Sequence, residues 1–326
     1  MKIVIVDDYQ NCVRQLACFS LLQGHQIEIH TVPARDESEL VSRLIDAEVV
    51  VVVRERVNIT STLLTQLPHL KLVALVGRNA KTIDYAACTA HGIAVTHGMT
   101  QSPIAPAELT VALILAARRN ITVEAERMKL GLWPEYLSHR LSGSTLGIYG
   151  YGVIGALVAK AGAGLGMHVL AWGRAGSLQR AQEDGYETAG SKQELFERAD
   201  VLSLHLRMSA GADHAVKATD LARMKPTSLL VNTARADLIA PGALVDALNA
   251  GRPGFAAVDV YEDEPVTGGN HPLLKMPNVV CMPHLGWADY DTFELYFGET
   301  FAQVRAYHEG VPYRLLNPEV ASRLRK

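Results

Sequence analysis

Cysteine is scarce in this chain, with four residues, at positions 12, 18, 88 and 281, among 326. None falls in a C-x-x-C pair, at zinc-site spacing or in a regular disulfide framework. That pattern excludes a disulfide-stapled scaffold, gives no sign of a metal site, and fits a reduced, cytoplasmic protein. Long hydrophobic runs are missing too. The chain opens on a strand-like Met1-Lys-Ile-Val-Ile-Val followed by Asp7 and Asp8, without the apolar stretch and small-residue cleavage site of a signal peptide. The longest apolar helix candidate, 109–117, is too short to cross a bilayer, so no membrane partner is expected. Excess positive charge is absent: the net charge is −3, which leaves no basic field for a nucleic-acid partner. Low-complexity tracts are absent as well, and 48% hydrophobic with 20% charged residues is an ordinary globular balance.

What is present is a repeated alternation. Short β-branched runs at 3–6, 49–53, 72–76 and 93–96 read as buried parallel strands, because a sheet covered by helices on both faces needs continuous apolar strands. Helical patterns at 37–45 and 60–66 lie between them, the second closed by Pro68. A second series follows at 146–149, 169–172, 201–206, 229–233 and 255–260. Two runs of β-α-β repetition predict an α/β protein with two doubly wound parallel-sheet domains, Rossmann- or flavodoxin-like. The divider is a Gly-, Thr-, Ser- and Pro-rich stretch around 99–106. It leads into a long helix candidate over 107–128 with Pro106 suited to its first turn. From Asp291 to Asn317-Pro318 there is a helix but no strand series, so this end is expected to return to the N-terminal unit. The expected domains are therefore 1–99 with 289–326, discontinuous and substrate-binding, and 100–288, dinucleotide-binding.

The strongest local motif is Leu146-Gly-Ile-Tyr-Gly150-Tyr-Gly152-Val-Ile-Gly155, a G-x-G-x-x-G between a strand and a helix. Gly150 allows the tight turn, Gly152 lets the backbone approach a pyrophosphate, and Gly155 lets helix and strand pack closely with the helix N-terminus facing the anion. An NAD site usually places a carboxylate about 20 residues further on to grip the ribose 2′-hydroxyl. Here that place is Gly173, followed by Arg174. A guanidinium can bind a 2′-phosphate that a carboxylate would repel, so the cofactor is NADP or NAD with NADP favoured.

Three segments near later strand ends carry ionisable groups: Val231-Asn-Thr-Ala-Arg235, Val258-Asp259 through Glu264-Pro265, and Met282-Pro-His284-Leu-Gly286-Trp287. Ketone reduction needs a hydride donor, an acid for the carbonyl oxygen, and a cation for the substrate carboxylate. His284 suits the acid role, since imidazole titrates nearest neutrality. Glu264 beside it would favour imidazolium and fix the ring, and the planar fork of Arg235 suits a carboxylate. Singly, each residue reads as well as a surface, turn or ion-pair residue.

Taken together and in order, these segments resemble the D-isomer-specific 2-hydroxyacid dehydrogenase family, which includes phosphoglycerate, glyoxylate/hydroxypyruvate and D-lactate dehydrogenases. The likeness runs from about 51 to 317. It implies hydride transfer between a nicotinamide cofactor and a small 2-keto or 2-hydroxy acid of D configuration. By it, Arg235 binds substrate, Glu264 supports His284, and His284 donates or accepts the proton. It also implies cofactor contacts at Val153, Ile154, Thr233, Ala234, Arg235, Asp259, His284, Gly286 and Trp287. Substrate contacts are implied at Arg54, Val76 and Gly77, and a homodimer through the cofactor domain. The chain departs from the family pattern in three places: Arg235-Ala236 stands for the usual Arg-Gly, and Val153 replaces a commonly polar residue. The loop Gly77-Arg-Asn79-Ala-Lys-Thr-Ile-Asp84 is shortened, which with Arg54, Arg56 and Arg78 bears on substrate choice. Two rivals share the scaffold. Formate dehydrogenase is disfavoured by Glu264, where the family's formate enzymes have Gln. A nucleotide-sensing, corepressor-like binding protein is opposed by the retention of all three ionisable residues.

Overall fold

Five consecutive valines, Val49–Val53, have every side chain buried, as befits a strand enclosed on both faces. They lie in the computed structural model of the chain, which describes residues 1–78, 80–208 and 212–325. The chain divides into two compact units, one made of Met1–Ser102 with the segment from Asp289 onward, the other of Pro103–Ala288.

In the first unit, β1 (Lys2–Val6), β2 (Gln26–Ile29), β3 (Val49–Val53), β4 (Leu72–Val76) and β5 (Ala94–His97) form a parallel sheet of order β2-β1-β3-β4-β5. The helix Glu37–Leu44 is capped by Asp36, whose side chain accepts from the Glu39 amide, and the helix Ser61–Thr65 is capped in the same way by Thr60. The returning helix, Tyr290–His308, starts at an Asp289 cap and buries Phe293, Phe297, Phe301 and Val304. Along one face it grips the end of β5 and the chain beyond. Gln303 donates to the His97 carbonyl at 2.8 Å, Glu299 accepts the Met99 and Thr100 amides at 2.9 and 3.1 Å, and Tyr296 accepts the Ser102 amide at 2.9 Å. Asn317 completes the return, its Oδ1 accepting the Val95 amide and its Nδ2 donating to the Ile93 carbonyl, both at 2.9 Å.

The second unit holds β6 (Thr145–Tyr149), β7 (His168–Trp172), β8 (Glu187–Thr188), β9 (Val201–Leu204), β10 (Leu229–Asn232), β11 (Phe255–Val258) and β12 (Val279–Cys281). All pair in parallel, in the order β12-β11-β10-β9-β6-β7-β8. The order reverses at β6, the switch point at which open α/β sheets bind ligands beyond the carboxyl ends of their strands. Two parallel-sheet α/β units are the fold class read from the sequence.

The single helix expected over 107–128 is two helices. Ile104–Arg118 ends before Asn120, which takes a left-handed conformation with φ 55°, and Ile121–Lys129 starts anew. Asparagine tolerates that region better than most residues, so it can turn the chain where the apolar pattern alone shows no break. Strands β2, β8 and β12 were not foreseen: the first is a half-exposed edge, the second has two residues and the third three. The runs 201–206, 229–233 and 255–260 stop short at Leu204, Asn232 and Val258, releasing the residues beyond as loops.

Candidate active site

At the carboxyl end of β6 the Gly-rich turn behaves as three different glycines. Gly150 has φ 102°, and a Cβ there would lie 2.8 Å from the His205 carbonyl carbon. A Cβ on Gly155 would lie 2.4 Å from the Gly150 oxygen. Around Gly152 a Cβ would meet nothing within 4 Å. That open position sits at the N-cap of the helix Val153–Gly164, which has no side-chain cap for its first amides. Space beside a backbone, donors without an internal partner and a helix dipole suit a pyrophosphate, so these residues fit a dinucleotide. Val153 is exposed, whereas Ile154 packs partly on the core.

The turn is tied to the next helix, Ala175–Glu183. Arg180 donates to the Tyr151 carbonyl at 3.1 Å, and the buried Tyr151 hydroxyl donates to Asp184 at 2.5 Å. Gly173 packs 3.7 Å from the Gly150 Cα, measured from its would-be Cβ, and Arg174 is exposed at the helix N-cap. No carboxylate occupies either position.

Beyond β10, Asn232 is buried and organises the loop: its Nδ2 donates to the Arg235 carbonyl at 2.9 Å and its Oδ1 accepts the Ala234 amide at 3.1 Å. Thr233 shares a 2.7 Å hydroxyl contact with the buried Thr110. The Arg235 side chain folds back to donate to the Ala234 carbonyl at 2.7 Å.

Beyond β11, Asp259 is fully buried and spends both oxygens on the loop after β12, accepting Leu285 N at 2.7 Å and Gly286 N at 2.8 Å. Burial raises its carboxyl above the ordinary value, while those amides and His284 oppose the rise. In this structure its carboxylate holds the His284 loop. A Cβ on Gly286 would sit 3.1 Å from Asp259 Oδ2, so glycine permits this grip. Directly before the gripped amides, His284 is held at φ 53°, a conformation that costs a non-glycine residue about 1 kcal/mol or more.

The imidazole meets its partner at once: His284 Nδ1 lies 2.6 Å from Glu264 Oε2, while Glu264 Oε1 accepts the Tyr261 amide at 2.9 Å. Burial works to raise the Glu264 carboxyl. The hydrogen bond and charge of His284, the Tyr261 amide and the charge of Arg235 outweigh it and hold the carboxyl below the ordinary value. Glu264 thus bonds His284 directly and lies within the electrostatic reach of Arg235. Trp287 is buried, 7% exposed. Sequence reasoning passed over Asn232, Tyr261 and Thr110, because their work is hydrogen bonding to backbone or to another hydroxyl, which has no spacing signature.

In the other unit, Arg54 and Gly77 follow β3 and β4 with φ 53° and 123°, and the Arg54 amide donates to the Val76 carbonyl at 3.2 Å. The Val76 side chain is fully buried, so only its backbone could meet a ligand. Arg56 donates to the Asp7 carbonyl at 2.6 Å and lies 4.3 Å over the Tyr9 ring. Asn79, in the loop after β4, lies outside the described residues. Among the described residues no cluster of His, Cys, Asp and Glu could hold a metal ion, and no helix is long and apolar enough to cross a membrane.

Comparison with known proteins converges on one family. Residues 111–286 match the D-isomer specific 2-hydroxyacid dehydrogenase, NAD binding domain. A glyoxylate reductase of Aeropyrum pernix is 37% identical over 81% of this chain and 81% of its own length. A D-3-phosphoglycerate dehydrogenase of Methanocaldococcus jannaschii is 34% identical over 79% of this chain, which spans only 49% of that protein. Among solved structures, a putative D-3-phosphoglycerate dehydrogenase from Ralstonia solanacearum shares 43% identity at a TM-score of 0.94, covering 98% of both chains. The chain belongs to the D-isomer specific 2-hydroxyacid dehydrogenase family.

Proposed function

We propose that this chain interconverts a small 2-keto acid and its D-2-hydroxy acid with a nicotinamide cofactor. The observation that carries the reading is the 2.6 Å bond from Glu264 to His284 Nδ1, within the field of Arg235. With Nδ1 held by a carboxylate 2.6 Å away, the imidazole is oriented, leaving Nε2 to exchange a proton with the substrate oxygen. Arg235 holds the substrate carboxylate through its planar fork and polarises the ketone. A bound nicotinamide supplies the hydride for reduction or takes it up for oxidation. Gly150, Gly152, Gly155 and the first amides of the helix at Val153 take the pyrophosphate. Thr233, Ala234, Gly286 and Trp287 line the nicotinamide half. Asp259 supports that half from behind, and Arg54, Val76 and Gly77 are the substrate contacts proposed in the N-terminal unit. Gly173-Arg174 favours NADP.

Turnover of glyoxylate, hydroxypyruvate and pyruvate, each with NADH and NADPH, tests this reading. Cofactor binding without turnover of any keto acid would leave a nucleotide-sensing protein in its place. The same reading includes a homodimer. After the helix Ile121–Lys129 the chain exposes Leu130, Trp133 and Leu137 at 76%, 79% and 97%, a patch of the kind that marks an interface. Light scattering of Trp133→Ser with Leu137→Asp should give a monomer where the parent gives a dimer. A cytoplasmic location completes the reading, since all four cysteines are free thiols.

A further inference from the structure

In the seven-stranded sheet β6 lies between β7 and β9, so the Gly-rich turn leaving β6 is flanked by the chains leaving both neighbours. Contact at both sides is close: would-be Cβ atoms place Gly150 at 2.8 Å from the His205 carbonyl carbon and Gly173 at 3.7 Å from the Gly150 Cα. Each flank carries an exposed arginine just past its strand, Arg174 beyond Trp172 and Arg207 beyond Leu204. The two strands are two spacings apart, about 10 Å, a gap that two long guanidinium side chains can close around one small dianion.

Other cations nearby do not serve. His205 Nε2 lies 2.9 Å from Ser203 Oγ, and burial pushes the imidazole down to about 4, so it is neutral at physiological pH. Arg180 is engaged with the Tyr151 carbonyl at 3.1 Å and the Ser177 hydroxyl at 3.5 Å. Asp184, a carboxylate beside the turn, accepts the Tyr151 hydroxyl. Among the described residues, Arg207 is the exposed cation that follows β9 in the chain.

We propose that Arg207 acts with Arg174 as a cofactor-specificity residue, the two guanidinium groups closing on the 2′-phosphate of NADP from the ends of two different strands. This rests on the NADP reading above and extends it to a residue on a second strand. Calorimetry on the full chain with 2′,5′-ADP and 5′-AMP as probes separates the phosphomonoester from the rest of the nucleotide. Arg207→Ala should weaken 2′,5′-ADP about tenfold, the worth of one charge-assisted hydrogen bond, with little change for 5′-AMP. Arg207→Lys should recover most of the loss. If wild type prefers 2′,5′-ADP and Arg174→Ala removes that preference while Arg207→Ala does not, the Arg207 assignment is overturned and the NADP reading stands. Equal weakening of both probes by Arg207→Ala overturns the assignment as well. If wild type shows no preference for 2′,5′-ADP, both fall together.

Discussion

Replacing Glu264 by Gln changes one charge in the site while keeping its shape. The amide oxygen can still accept the Tyr261 amide, which Glu264 Oε1 now accepts at 2.9 Å. What is lost is the carboxylate 2.6 Å from His284 Nδ1. A hydrogen bond to a charged partner contributes about 1.5–3 kcal/mol against about 0.5–1.5 for a neutral one, a difference of roughly 1.3 kcal/mol, or about tenfold in an equilibrium. The carboxylate also attracts Arg235, and the glutamine removes that attraction. An imidazole less firmly held at Nδ1 should slow turnover in both directions, by about tenfold for the loss of roughly 1.3 kcal/mol, with KM for the keto acid changed less. The assay is initial-rate kinetics in both directions across the pH range, with cofactor affinity measured alongside and expected to hold. A kcat within about twofold of the parent in both directions would refute the assignment of Glu264 as the partner that orients the imidazole.

Two alanine substitutions in the Gly-rich turn should part company. Gly155→Ala puts a Cβ 2.4 Å from the Gly150 carbonyl and should cost about 3 kcal/mol of stability, read as a lower midpoint in urea. Gly152→Ala meets nothing within 4 Å, so its melting curve should match the parent while cofactor titration shows weakened binding. Asp7 should set part of the pH dependence of stability. Burial raises its carboxyl to about 6, against the opposing charges of Arg56 and Arg43, so the folded state holds a proton that the unfolded state releases near its ordinary value. Stability from this group is full below about pH 4 and falls as pH rises towards 6. Asp7→Asn, which suits the φ of 62°, should flatten that slope and raise the melting temperature at pH 7, an effect of up to about 3 kcal/mol. Asp259→Ala should leave the Leu285 and Gly286 amides without acceptors and reduce kcat more than it weakens cofactor binding; equal loss in both would point to a direct cofactor role.

The sequence made the strands of both sheets legible wherever five or so β-branched residues were buried on both faces, as at 49–53. It concealed β8 and β12, which are too short to carry a period and owe their strand state to their neighbours. Asn120 broke a helix that the apolar pattern continued through, because a single left-handed residue leaves the hydrophobic spacing intact. Within the candidate site, the pairing of Glu264 with His284 was legible because it is a match of side-chain chemistry. The positioning roles of Asn232 and Tyr261 were hidden, since a backbone hydrogen bond requires only proximity in the fold.

The return of the chain to its first unit has a consequence for how the protein is made. The first sheet cannot close its core before the helix Tyr290–His308 arrives, for Phe297, Phe301 and Val304 are buried in it and Asn317 bonds across the end of β5. The unit Pro103–Ala288 is one uninterrupted stretch. During synthesis the second unit is therefore free to fold on the ribosome while the first waits, an exposed valine-rich sheet, for residues translated some two hundred positions later. Chaperone dependence should concentrate on that interval, and a chain truncated after residue 288 and released should bind nucleotide while its N-terminal part is still open to protease.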